Sequence, residues 1–204
     1  MGVKGFLEYP LLYQSLQVAG GFFGARVRAI AKYLVLRPGS RVIDVGCGPG
    51  FIVDYLPAGI EYFGFDVDER YIAYAKRHFA DKGSFQCRPF DDAAASAVGP
   101  ADIVMMNGVI HHLDEVTAIA VLRAIRKALN PSGTLFTLDS CFHDGQSAIA
   151  SFLLRNDRGR FVRPETAYRA LLRSVFEDVQ TYVREDLSWV PYTWLIGLSR
   201  TVPA

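Results

Sequence analysis

The chain has 204 residues, half of them hydrophobic and 21% charged, which suits one folded domain and excludes a disordered tail. Lys plus Arg number 22 against 21 for Asp plus Glu, so the formal net charge of +1 gives no electrostatic ground for a nucleic-acid or anionic-membrane partner. Cys47, Cys87 and Cys141 stand too far apart for a disulfide framework or a structural zinc site, and no metal ligand set is expected.

No run approaches the roughly 18 apolar residues of a spanning helix. Glu8 and Pro10 interrupt the stretch where a leader would be apolar. A soluble protein of the reducing cytoplasm is expected. The basic cluster Arg155, Arg158, Arg160 and Arg163 reads as solvated surface.

Leu11, Leu12, Ser15, Leu16 and Ala19 recur at helical spacing before Gly20 and Gly21 break the pattern. A second helix is predicted over residues 25–36, closed by Pro38 and Gly39. The grammar then changes to strands at 41–45, 62–66, 84–87, 101–107 and 134–138. Helices are expected between them at 69–79, capped by Asp68, and at 116–129. Strands separated by helices need crossovers, which implies a parallel sheet. Two further strands, 176–183 and 193–198, have no helix between them, so one is expected to run antiparallel.

The segment Val42-Ile43-Asp44-Val45-Gly46-Cys47-Gly48-Pro49-Gly50 is a strand running into a glycine turn, with a helix expected to follow. Such a turn brings bare backbone against a ligand. Asp44 at the strand's end would repel a diphosphate and favour an ammonium or sulfonium. Phe51 stands where a nicotinamide fingerprint wants a small residue. Asp66 ends the next strand, twenty residues after Gly46, the place from which an acid reaches both hydroxyls of a ribose. A cationic adenosine without phosphate is implied, and S-adenosylmethionine fits that description.

Together, 44–50 and Gly64-Phe65-Asp66 resemble the cofactor signature of the class I S-adenosylmethionine-dependent methyltransferases. The stretch 102–113 and Leu129-Asn130-Pro131-Ser132-Gly133-Thr134-Leu135 resemble that family's later motifs in order. The resemblance implies a Rossmann-like seven-stranded α/β sheet of order 3-2-1-4-5-7-6, strand 7 antiparallel, with helices on both faces. It implies one domain: an N-terminal helical extension over 1–37, a cofactor core over 38–140, a substrate-side insert over 141–175 and a terminal strand pair over 176–204. By the same likeness Gly46, Cys47, Gly48 and Gly50 form the cofactor loop, with Asp44 at the methionine ammonium. Asp66 takes the ribose, Val67 packs on adenine, and Asn107 meets the methionine part. Family members often carry an adenine-binding acid after strand 3, but Pro89 stands there, so Asp91 or the backbone around Phe90 is expected to take that place.

Methyl transfer is an in-line displacement, so the protein must position the acceptor and exclude water. A base is useful only where the acceptor must lose a proton. His111 is the first candidate, His112 a second, and Asp139 a residue to hold substrate. Specificity is expected from Phe6, Tyr9, Tyr13, Phe22 and Phe23 and from the insert with Asn156-Asp157-Arg158-Gly159-Arg160, facing a small-molecule acceptor of an O- or N-methyl group. Two alternatives remain at this level: a non-catalytic binding member of the same fold, and a nicotinamide-dependent oxidoreductase, which Asp44 and Phe51 disfavour.

Overall fold

The computed structural model describes residues 20–157 and 159–201. The helix expected over 11–19, the aromatics Phe6, Tyr9 and Tyr13, and Arg158 lie outside the described residues. Helix α1 spans Phe22–Tyr33 and ends where Leu34 turns extended. The core follows as β1 (Arg41–Val45), β2 (Glu61–Asp66), α2 (Glu69–Phe79), β3 (Ser84–Cys87), α3 (Asp92–Val98), β4 (Ala101–Asn107), α4 (Glu115–Ala128) and β5 (Leu129–Phe142). The chain continues through α5 (Ala148–Arg155), β6 (Arg163–Pro164), α6 (Glu165–Arg173), β7 (Asp178–Arg184) and β8 (Trp194–Arg200).

The sheet order is β3-β2-β1-β4-β5-β8-β7, with β6 paired to the end of β5. Strands β1 to β5 run parallel, and β8 is antiparallel to both neighbours. This is the expected order, the shift in numbering coming from the two-residue pairing of β6 with Cys141 and Phe142.

Three helices were not read from the sequence: α3, α5 and α6. Each is short, and α6 shows only one apolar stripe, Tyr168, Leu171 and Leu172, which packs on the sheet. Asp68 caps α2 as expected, accepting from the Arg70 and Tyr71 amides. After the glycine turn the chain makes only a 3-10 turn over Phe51–Tyr55 instead of an α-helix. Leu56 precedes Pro57, which disfavours helical backbone at Leu56, and Leu56 is extended. Strand β5 begins at Leu129, earlier than expected, through an irregularity opposite Ala101. Gly133 is required there, since a Cβ would come within 2.9 Å of the Ala101 carbonyl oxygen.

Alternation along the strands builds two cores. Ile43, Val45 and Phe65 face α3, α4 and α6 on one side. Val42, Tyr62, Ile103 and Met105 face α1 and α2 on the other. Counting by twos from this second set, Asp44, Gly64, Asp66 and Asn107 fall on the α1–α2 face, at the carboxyl ends of β1, β2 and β4. The parallel order reverses at β1 and β4, which is where open α/β sheets bind ligands.

Candidate active site

The glycine turn is drawn back over β2. Gly46 and Cys47 donate to the Phe65 carbonyl, at 2.7 and 3.0 Å. Gly46 has φ +76°, and a Cβ there would lie 2.4 Å from a Val109 methyl. Cys47 tucks onto β2, since a Cβ on Gly64 would meet its Sγ at 2.8 Å. Burial and then Asp44 push the Cys47 thiol well above its ordinary range, so it is packing and not a nucleophile. Gly50 is closed in by Phe85, Ala75 and Phe79. Gly48 differs: it has φ +57°, and a Cβ there would meet nothing within 4 Å. The turn is open at that point.

Asp66 ties the turn to the start of α2. Its Oδ2 accepts from the Gly48 amide at 2.8 Å and its Oδ1 from the Asp68 amide at 2.9 Å. Burial raises its carboxyl above the ordinary range, and those two amides oppose the shift. Each oxygen keeps a lone pair for a further donor. Next to it, the Val67 side chain is 71% exposed.

Asp44 is 2% exposed, and its Oδ2 accepts from the Tyr62 hydroxyl at 2.7 Å. Burial pushes its carboxyl up to about 6 against the pull of Tyr62 and of the Arg26 guanidinium. Among the described residues, Asp44 Oδ1, Asn107 Oδ1 and Asn107 Nδ2 are buried without a well-formed hydrogen bond, although the Asn107 side chain lies close enough to Asp44 to draw its carboxyl down. Leaving such atoms unpaired costs about 1–3 kcal/mol each, so the corner is built for a polar ligand. Arg26, on α1, brings a cation to its edge. A Cβ on Gly108 would lie 3.6 Å from an Arg26 nitrogen and 3.5 Å from Cε1 of His111. The charged corner and the His111 ring thus adjoin across one glycine.

His111 lies in the turn Ile110–His112 just past β4, with its side chain 10% exposed. Its Nδ1 is 2.7 Å from Oδ1 of Asp139 on β5, which also accepts the His111 amide at 3.1 Å. An ionised carboxylate only accepts, so the ring presents its Nδ1–H to Asp139, and in the neutral imidazole Nε2 then carries the lone pair. The insert covers the ring from the far side. The Phe161 amide donates to the His111 carbonyl, and Arg163 donates to the Ile110 and Leu113 carbonyls at 3.1 and 2.7 Å. Arg163 is therefore a strap across the turn and not the solvated surface expected of it.

Residues 43–135 match the protein family described as "Methyltransferase domain". That segment, somewhat under half of the chain, thus matches a methyltransferase domain. The ubiquinone biosynthesis O-methyltransferase of Xanthomonas campestris pv. campestris is 29% identical over 106 residues, half of this chain and 44% of that protein. Its counterpart in Idiomarina loihiensis is 25% identical over 160 residues, 69% of this chain and 63% of that protein. The chain thus covers less than two thirds of these curated relatives. Among solved structures, human N-acetylserotonin methyltransferase in complex with S-adenosylmethionine superposes with a TM-score of 0.67 at 19% identity, over 95% of this chain and 55% of that one. A TehB-like S-adenosylmethionine-dependent methyltransferase from Corynebacterium glutamicum gives 0.66 at 18% identity, over 93% and 94%.

S-adenosylmethionine suits the residues of this cleft. Its α-ammonium calls for acceptors, which Asp44 Oδ1 and Asn107 Oδ1 offer, and its carboxylate for donors, which Asn107 Nδ2 and Arg26 offer. At the adenine end, where Asp91 or the backbone around Phe90 is expected, the two side chains have the following partners. The Phe90 ring is buried edge-on against Phe65, 5.0 Å between centroids. Asp91 caps α3 through the Ala94 amide and pairs with Arg88. His112 is exposed, its ring 4.2 Å from that of His111. Of the expected specificity aromatics within the described residues, Phe22 meets Tyr192 and Trp194 edge-on, while Phe23 is buried against Tyr55.

Sequence reasoning missed Arg26, Tyr62 and Tyr192, and named Asp157 only as part of the specificity insert. Only Asp157 carried a signal, its place in the polar insert.

Proposed function

We propose that this chain transfers a methyl group from S-adenosylmethionine to a hydroxyl oxygen of a small-molecule acceptor. The observation that carries the reading is the adjacency across Gly108 of the unpaired Asp44–Asn107 corner and the His111–Asp139 pair. When bound, the cofactor supplies an electrophilic methyl on a sulfonium, whose leaving thioether needs no proton. The protein's residues do the rest. Asp66 holds the ribose hydroxyls, Val67 lies under the adenine, and the backbone of the glycine turn lets the methionine part approach. Asp44, Asn107 and Arg26 hold the amino-acid head as a zwitterion.

His111 Nε2 takes the acceptor's hydroxyl proton, and Asp139 fixes the ring's tautomer and balances the imidazolium that forms. The strapped insert and the Phe22–Tyr192–Trp194 cluster shield the acceptor from water. Support for oxygen as the methylated atom comes from the base itself, and from curated relatives named as O-methyltransferases.

The test is a transfer assay with methyl-labelled S-adenosylmethionine and a panel of phenols, N-acetylserotonin among them, read by mass spectrometry. Methyl ethers formed by the wild type and lost in His111→Ala are expected. S-adenosylmethionine binding without transfer to any hydroxyl compound would overturn the reading.

A further inference from the structure

His111 stands between two carboxylates, and the acid–base reading above uses only one of them. On the side away from Asp139, Nε2 faces Oδ1 of Asp157 at 3.7 Å. Asp157 comes from the insert and is held from two directions: the Gly159 amide donates to Oδ1 at 2.7 Å, and the Tyr192 hydroxyl donates to Oδ2. The approach is built. A Cβ on Gly159 would lie 2.1 Å from Cδ2 of His111, so only glycine lets the insert come this close.

Two acceptors facing each other, a ring lone pair and a carboxylate oxygen, repel unless a proton lies between them. Chemistry supplies one in every turnover. Moving a methyl from a sulfonium to a hydroxyl leaves a neutral ether, a neutral thioether and one proton. That proton arrives on Nε2, on a ring that is 10% exposed, and it must leave before the next acceptor can be deprotonated. Asp157 is 17% exposed and is the carboxylate facing Nε2 among the described residues. A closing of about 0.8 Å turns the 3.7 Å approach into a hydrogen bond.

We propose that Asp157 is the proton outlet of the site, taking the proton from His111 Nε2 onto Oδ1 and handing it to water at the rim of the insert. The balance is complete: the N–H bond of the imidazolium breaks, an O–H bond forms on Asp157, and that O–H then loses its proton to solvent, restoring the carboxylate. Asp157 acts through His111, so it is a positioning and relay residue and touches neither the sulfonium nor the acceptor. The proposal rests on His111 being the base of the proposed methyl transfer.

The experiment reads proton exchange directly, with no acceptor. In the full chain carrying ring-labelled histidine, NMR relaxation dispersion at the observed midpoint of the His111 titration gives the rate at which the ring gains and loses its proton. Asp157→Asn keeps the size and the oxygen that accepts from the Gly159 amide, while its amide nitrogen can donate to the Tyr192 hydroxyl, and it is expected to slow that exchange by on the order of tenfold. Added formate, a free carboxylate, is expected to restore it, which no merely structural role would produce. Asp157→Ser is the second variant, expected to show the same slowing. An exchange rate at the wild-type level in either folded variant, or a slowing that formate leaves in place, overturns the proposal. Failure of the wild type to methylate any phenol overturns the methyl-transfer reading instead, and is told apart because the exchange rates are measured without it.

Discussion

Nδ1 of His111 and Oδ1 of Asp139 are 2.7 Å apart, one on the turn after β4 and the other on β5. The pair fixes the orientation of the imidazole, which the proposed transfer uses as its base. His111→Ala is expected to lower kcat for a phenolic acceptor by about 10²–10⁴-fold while leaving S-adenosylhomocysteine affinity unchanged. Asp139→Asn is expected to cost a comparable factor, since its amide releases the ring from one tautomer. Single-turnover rates measured beside calorimetric affinities check both.

Arg26 reaches the Asp44–Asn107 corner from outside the matched family region, on α1. If it meets the cofactor's carboxylate, Arg26→Gln should weaken S-adenosylhomocysteine binding by about 10- to 100-fold, the range of a charged hydrogen bond. Adenosine, which has no carboxylate, should bind both proteins equally. Titration of each ligand separates this from a general loss of fold.

The legible part of this site was the part that backbone geometry writes into local sequence. The glycine turn, Asp44 and Asp66 sit at fixed offsets from strand ends, and strand alternation puts both acids on one face. Tyr62, Arg26, Asp157 and Tyr192 come to the site from β2, α1, the insert and the approach to β8. Their meeting is a fact of tertiary packing with no local spacing to mark it. Helices α3, α5 and α6 were hidden for a related reason, being short and stabilised by packing more than by propensity.

Asp44 makes opposite demands on stability and binding. Its carboxyl is pushed up to about 6 from 3.8, so between those values the unfolded chain has released a proton that the folded chain keeps. Stability of the free protein therefore falls as pH rises through that window, by about 3 kcal/mol at most. Asp44→Asn removes this loss and is expected to raise Tm at pH 7. Binding is expected to run the other way, because the proposed pairing of the cofactor's ammonium is with the ionised form. Affinity for S-adenosylhomocysteine should rise from pH 5 to pH 7 in the wild type and stay flat in Asp44→Asn.

Gly48 stands at an open point and Gly159 at a close approach, so the two should fail differently. Gly48→Ala places a methyl in the open part of the turn at a positive φ, costing about 1–2 kcal/mol of stability and weakening cofactor binding. Gly159→Ala drives a Cβ into the His111 ring. It is expected to cut kcat and leave cofactor affinity intact. Thermal melts, calorimetry and kinetics on the two variants distinguish the glycine turn after β1 from the insert beside His111.

The most direct measurement is a calorimetric titration of the wild type and Asp66→Ala with S-adenosylhomocysteine, with NADH as the competitor class. Stoichiometric binding by the wild type, at least about tenfold weaker in Asp66→Ala, is the result expected of a ribose held by that carboxylate. No heat with S-adenosylhomocysteine, equal binding by both proteins, or tighter binding of NADH would contradict the account.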